Sequence, residues 1–288
     1  MIPLVAGLAA VADRYDGFVL DLWGVIHDGV EAYPGVAETL AELKRAGKRT
    51  IMLSNAPRRS GALIEQLGKL GIERSLYDEV LSSGEAVYLE LASRADPVFA
   101  GLGDRLYHLG PERDRNVYEG LPYRSVEIEA ADFILNTGPV DLSESVADYQ
   151  DLLERALARR LPMICANPDH VVIRQGKRIT CAGAIAGRYS DMGGMVVERG
   201  KPDPAIYDVA LARLGIGDRR RVCAVGDALH TDIRGGRAAG LDAVLVTGGI
   251  HADELGIRWG EAPDPVRLAE LARHHGETPV AAMVKFAW

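Results

Sequence analysis

The stretch Phe18-Val19-Leu20-Asp21-Leu22-Trp23-Gly24-Val25-Ile26 decides how the rest of the chain is read. An apolar run without polar alternation meets a carboxylate at Asp21, and a glycine stands three positions further on. Such a run suits a strand covered on both faces, the condition of a parallel sheet. The pattern recurs. Thr50–Leu53 ends at Ser54, Val80–Leu81 at Ser82, Phe133–Leu135 at Asn136 and Met163–Ala166 at Asn167. Val222–Val225 ends at Gly226 and Asp227, and Ala243–Val246 ends at Thr247.

The intervening segments carry helical spacing. Val36, Leu40, Leu43 and Ala46 follow Pro34-Gly35 and stop at Gly47. Leu63, Leu67 and Leu70 stop at Gly71, and Ile206, Ala210 and Leu214 follow Pro204 and stop at Gly215. Proline at the entrance and glycine past the end are helix punctuation. Alternating strands and helices predict an α/β fold with a Rossmann-like parallel sheet. Ligands of such sheets lie beyond the carboxyl ends of the strands, so Asp21, Ser54 and Asp227 are expected to share one crevice.

The chain has 288 residues, and at about 150 residues per domain it has room for two. Residues 96–123 are richer in Arg, Gly, Pro and Tyr, and they read as the entry to an inserted module. The expected division is a core of 1–84 and 186–288 and an inserted domain over 85–185. With 48% hydrophobic and 26% charged residues the composition is that of a globular protein. A net charge of 33 − 41 = −8 argues against nucleic acid or a membrane surface as partner. Three cysteines without CxxC spacing argue against a disulfide scaffold and a cysteine zinc site, and a reducing cytoplasm is expected. The apolar start Met1–Ala12 is broken by Pro3 and Gly7 and lacks a basic n-region, so it reads as a short docking helix rather than an export signal.

Four segments in order resemble the motifs of the haloacid dehalogenase superfamily. The first is the Asp21 stretch, and the second is Leu53-Ser54-Asn55. Gly200-Lys201-Pro202-Asp203-Pro204 is similar to the lysine motif of type II members. Val225-Gly226-Asp227-Ala228-Leu229-His230-Thr231-Asp232-Ile233 is similar to the fourth motif. The interval between Ser54 and Lys201 (201 − 54 = 147 positions) leaves room for the α/β, C2-type cap of the type IIA subgroup. Within it, Ala166-Asn167-Pro168-Asp169 resembles a segment of that subgroup's phosphatases.

The resemblance implies Mg²⁺-dependent hydrolysis of a small phosphorylated metabolite. Asp21 becomes the nucleophile, and an aspartyl-phosphate splits the reaction into two easier steps. Asp21, the Trp23 carbonyl and Asp227 are implied as Mg²⁺ ligands, with Asp232 orienting the ion's water. Lys201, Ser54 and Asn55 are implied phosphate binders, and Asn167 and Asp169 are implied to face substrate. Relatives with this cap type often pair, so a homodimer is expected.

One position departs from the pattern. The superfamily's phosphatases carry a second aspartate two residues after the nucleophile, for proton transfer; here it is Trp23. Such help is typically worth about 10²–10⁴-fold, so a slow enzyme, a narrow leaving-group range or a substitute follows. His27, with Asp28 beside it, is the expected substitute. Two rivals stand beside this reading: a phosphate-ester sensor with little turnover, and a metal-independent dehalogenase, against which the Gly226-Asp227 pair and Asp232 speak. Arg58 and Arg59 read as a solvated helix start. Gly235, Gly236 and Gly240 read as close helix packing, since their spacing is not that of a dinucleotide loop. His274 and His275 have no metal partner at ligand spacing. The tail Pro279–Trp288 is apolar enough to dock on the core or on another subunit.

Overall fold

The structure, a computed structural model, describes residues 2–288. Seven parallel strands form one sheet, in the order Leu4–Val5, Ala281–Met283, Asp242–Val246, Val222–Gly226, Gly17–Leu20, Arg49–Ser54 and Glu79–Ser82. The two central strands, Gly17–Leu20 and Val222–Gly226, are buried at every residue, which explains their unbroken apolar character. Alternation sorts neighbours to opposite faces. Phe18 and Leu20 pack with Leu40, Leu43 and Met52 on one side, and Val19 packs with Ile206, Ala210 and Leu214 on the other. As their spacing predicts, the helices Val36–Arg45 and Pro204–Leu214 supply those partners except Met52, which comes from the neighbouring strand. Truncating Leu20, which is fully buried, to alanine would cost about 2–5 kcal/mol.

A second parallel sheet runs in the order Val196–Glu198, Met163–Cys165, Phe133–Asn136, Arg105–Leu109 and Arg124–Ser125. It has its own apolar cores, one around Ile134, Leu153 and Tyr189 and one around Phe99, Leu106 and Phe133. From this unit projects an antiparallel hairpin, Val171–Arg174 with Lys177–Thr180. Its two-residue loop, Gln175-Gly176, has φ of 48° and 74°, the left-handed pair that matches strand twist in a tight hairpin.

Two expectations change, and one left open is decided. The inserted unit does not close near 185: helix Ala182–Asp191 packs in its core, and Val196–Glu198 pairs with Met163–Cys165. The cap sheet therefore extends to 198. The amino-terminal segment is no docking helix but the edge strand Leu4–Val5 followed by two 3₁₀ turns, with Leu8 and Ala12 buried. The apolar tail inserts Ala281–Met283 between that edge strand and Asp242–Val246, so it completes the core of its own chain. Gly235 and Gly236 do mark close packing, because a Cβ on them would meet the Tyr207 ring and the Ala224 methyl.

Candidate active site

Parallel register brings the distant acids together. Leu20 pairs with Val225 on one side and Met52 on the other, and the Asp21 N–H donates to the Val225 carbonyl at 2.9 Å. Asp21, Ser54 and Asp227 consequently emerge at the same edge of the sheet. Lys201 arrives from the segment after the cap's last strand, and its Nζ donates to Asp21 Oδ1 at 2.5 Å and to Asp232 Oδ1 at 2.6 Å. Lys201 is 3% exposed. Burial alone would lower its pKa, but the two facing carboxylates win and hold the ammonium well above the ordinary lysine range.

The carboxylates feel the opposite balance. Burial pushes Asp21 up to about 7, despite Lys201 beside it, and Asp232 adds to the rise. Asp227 is held well above the usual range by burial, then by Asp21 and Asp232. Its Oδ2 accepts from the Ile250 N–H at 2.6 Å. Glycines at 24 and 249 make room for that carboxylate, since a Cβ at either position would collide with it, and Gly24 has φ of 85°. Asp232 sits on a π-helical turn, Leu229–Ile233. Its Oδ2 accepts from the Ala228 N–H at 3.2 Å, and its carbonyl accepts from the Tyr207 hydroxyl at 3.1 Å.

This donor set fits a divalent cation. Asp21, Asp227 and Asp232 each offer an oxygen, all within 4.8 Å of one another. Three buried carboxylates face one ammonium, which leaves the pocket short of positive charge. Oxygen ligands and a charge deficit are what Mg²⁺ or Ca²⁺ requires.

Asn55 acts as a clamp. Its Oδ1 accepts from the Lys201 N–H at 2.7 Å and from the Ser83 hydroxyl at 3.2 Å; its Nδ2 donates to the Lys201 carbonyl at 3.0 Å and to Asp169 Oδ1 at 2.8 Å. The side chain is thus committed to positioning Lys201 and Asp169. Ser54 Oγ accepts from the Ala56 N–H at 3.2 Å. Asn167 Oδ1 accepts from the Asp169 N–H at 3.0 Å, which shapes the turn carrying Asp169. Burial raises Asp169 above the usual carboxylate range, partly offset by Lys201 and Asn55.

Two adjoining cavities meet here. A small one, about 90 Å³, is lined by Asp21, Lys201, Asp227 and Asp232; a larger one, about 310 Å³, opens between core and cap. Trp23, Ser54, Asp169 and Val172 line both, so they mark the junction. Trp23 reaches across that junction, donating from Nε1 to the Ile173 carbonyl of the cap hairpin at 2.7 Å. His27 stands edge-on to the Trp23 ring, with centroids 5.6 Å apart, and is 3% exposed. Its Nδ1 accepts from the Gly29 N–H at 2.9 Å, and burial lowers its pKa to about 4.

The sequence reading overlooked some residues. His275 does have neighbours, for His251, Glu254 and His275 bring ligand atoms within 4.8 Å of one another. Both nitrogens of His251 are engaged: Nε2 accepts from the Leu229 N–H at 3.2 Å, and Nδ1 pairs with Glu254 at 2.8 Å. The ring therefore braces the turn that carries Asp232. The Gly248-Gly249-Ile250 loop holding Asp227 follows the apolar run ending at Thr247, and that strand end was the available signal.

Comparison with known proteins agrees with the geometry. A haloacid dehalogenase-like hydrolase family model matches residues 18–124, and a second, HAD-hydrolase-like, matches 198–272. A haloacid dehalogenase-like hydrolase from Brucella suis is 32% identical, with a TM-score of 0.84 over 99% of this chain and 100% of that one. D-glycerol 3-phosphate phosphatase from Mycobacterium tuberculosis is 28% identical over 85% of this chain, which spans 66% of that protein's length. A glycerol phosphate phosphatase from Mycobacterium tuberculosis, solved in complex with calcium, is 26% identical, with a TM-score of 0.62 over 83% of this chain and 68% of that one.

Proposed function

The chain belongs to the haloacid dehalogenase-like hydrolases, and on that premise we propose that it is a phosphatase hydrolysing a small phosphate monoester with the help of Mg²⁺. The convergence of Asp21, Asp227 and Asp232 around one buried lysine carries this reading. Asp21, Asp227, Asp232 and the Trp23 carbonyl would hold the cation, which when bound supplies counter-charge to the phosphoryl oxygens.

Asp21 is the nucleophile. Its carboxylate oxygen forms a bond to phosphorus as the bond from phosphorus to the ester oxygen breaks, leaving an aspartyl-phosphate. Lys201 neutralises charge on Asp21 and on the arriving phosphate, and Ser54 offers a hydroxyl to it. The departing alkoxide needs a proton, which Trp23 cannot give. Asp169 takes that role here: it is the titratable side chain lining both cavities, and burial keeps its carboxyl disposed to hold a proton. In the second half the Asp169 carboxylate takes a proton from water, water oxygen bonds to phosphorus, and Asp21 is released with inorganic phosphate. His27 is assigned to positioning, in place of the proton shuttle expected from sequence. With Nδ1 accepting from Gly29 and the ring neutral, it serves as a wall behind Trp23.

The test uses p-nitrophenyl phosphate with Mg²⁺. Turnover is expected, with loss on chelation and a fall of at least about 10⁴-fold in Asp21→Asn. Asp169→Asn should slow p-nitrophenyl phosphate through the shared water-activation step and an alkyl phosphate still more, because only the poorer leaving group also needs the proton. Full activity in Asp21→Asn would overturn the nucleophile assignment, and phosphate-ester binding without turnover would favour a sensor.

A further inference from the structure

Three arginines enter the larger cavity from three separate segments: Arg58 from the loop before helix Ser60–Lys69, Arg113 from the 3₁₀ turn Glu112–Val117, and Arg174 from the end of the cap hairpin. Several arginines elsewhere in the chain are paired with acids. Arg59, Arg105, Arg124 and Arg221, for example, each contact a carboxylate at 3.0 Å or less. In the cavity, the Arg58 guanidinium bonds only to the neutral Gln66 among the described residues, at 2.5 Å. The Arg113 side chain, more than half exposed, comes no closer than 3.8 Å to Asp114, and the Arg174 side chain makes neither hydrogen bond nor ion pair among the described residues.

Grouping cations in this way is unfavourable unless something answers them. Burial lowers the pKa of Arg58, Asp114 opposes the fall, and the neighbouring Arg113 and Arg174 add to it. The available carboxylate, Asp114, is 2% exposed, and its Oδ1 has no hydrogen-bond partner. A buried acceptor without a partner, in a cavity where one guanidinium meets only a neutral amide and two have no hydrogen-bond partner among the described residues, suits a polar ligand. The apolar walls, including Leu22, Leu63, Val172 and Ile179, suit a carbon skeleton between two polar ends.

We infer that the larger cavity is a subsite for a second oxyanion, so that the substrate is a phosphate monoester whose alcohol portion itself bears a carboxylate or a second phosphate. The inference rests on the phosphatase reading for which end of the ligand enters the carboxylate pocket. Guanidinium groups select oxyanions through charge-assisted, often bidentate bonds, and Asp114 Oδ1 accepts from a hydroxyl or amine on the same skeleton.

Binding of three non-hydrolysable probes tests it: benzylphosphonate, 4-carboxybenzylphosphonate and the corresponding bis-phosphonate, by calorimetry with Mg²⁺. The doubly anionic probes should bind about tenfold or more tightly than benzylphosphonate, with the advantage shrinking as salt rises. The carboxylate and phosphonate arms separate the two kinds of oxyanion. In Arg174→Met, and further in Arg113→Met/Arg174→Met, the ratio of dissociation constants should fall toward one. A folding defect would weaken all probes and leave that ratio standing. Equal affinities in the parent protein, or an undiminished ratio in the double variant, would overturn the inference. Turnover of p-nitrophenyl phosphate, measured alongside, keeps the two questions apart. Turnover without oxyanion preference defeats the subsite alone, whereas preference without turnover supports the subsite and defeats the phosphatase reading.

Discussion

In the floor of the site the charged groups are fastened to one another: Lys201 bonds to Asp21 and Asp232, and Asp227 accepts from the Ile250 backbone. In the cavity above, Arg58, Arg113, Arg174 and Asp114 face each other without a hydrogen-bonded ion pair. The floor stands on strand ends of a seven-stranded sheet and on a braced π-helical turn. The cavity walls come largely from loops, a 3₁₀ turn and one hairpin, with part of helix Ser60–Lys69. Rigid elements hold reacting groups in fixed geometry, and loops vary what is recognised above them. The floor and the cavity above it are thus differently built.

The largest expected effect is in the floor. Lys201→Met leaves two buried carboxylates without their ammonium and should destabilise the protein by about 3–5 kcal/mol in urea titration. Phosphatase activity should disappear with it. A loss near zero would mean that the carboxylates are better solvated than their burial implies.

Asp227→Asn should act on stability in the other direction. Without cations it removes one of the repelling acids, and an amide oxygen can still accept from Ile250. Chelator-treated protein should melt about 2–4 °C higher, the shift expected for about 1 kcal/mol at this length. The stabilisation that Mg²⁺ gives the parent protein should vanish. Scanning calorimetry with EDTA and then with Mg²⁺ separates the two effects.

Trp23→Phe tests the seam between the regions. It deletes the bond to the Ile173 carbonyl, worth about 1 kcal/mol. Hydrogen exchange should quicken in the hairpin 171–180 and stay unchanged in Gly17–Leu20. Uniform protection of both segments would show that the tryptophan does not tie the hairpin to the core.

The smallest expected effect is a slope. The folded protein holds His27 near a pKa of about 4, against 6.5 ordinarily. Between those values the unfolded chain binds a proton that the folded chain refuses, so this group makes stability fall as pH drops from 6.5 to 4. His27→Gln should flatten that acid limb by a fraction of about 1.4 kcal/mol per pH unit, read from urea midpoints at several pH values. An unchanged limb would place the imidazole in contact with water.

Legibility followed the same division. The runs ending at Asp21, Ser54 and Asp227 were readable because strands covered on both faces tolerate few polar residues, so the first polar residue marks the strand end. The inserted unit was readable as an insertion, but its far boundary was not. Val196–Glu198 is three residues long, and only its pairing with Met163–Cys165 makes it a strand of the cap. Arg58 looked like a solvated helix start because a lone arginine carries no mark of the cavity it will enter. His27 looked like a proton carrier because its closeness to Trp23 in sequence says nothing about burial. The edge strand Leu4–Val5 was hidden because its pairing partner, Ala281–Met283, lies more than 270 positions away in the sequence.

Local order therefore came from composition and spacing: a parallel α/β core, an inserted cap, and acids at particular strand ends. Those features depend on neighbours a few residues apart, where burial periodicity leaves a direct trace. The pairing of Lys201 with Asp21 across 180 positions depends instead on how the core packs, and the reach of Trp23 to Ile173 across 150 and the gathering of three arginines depend on how two packed units close upon each other. That closure is decided by the fit of whole surfaces, and no short window of residues contains it.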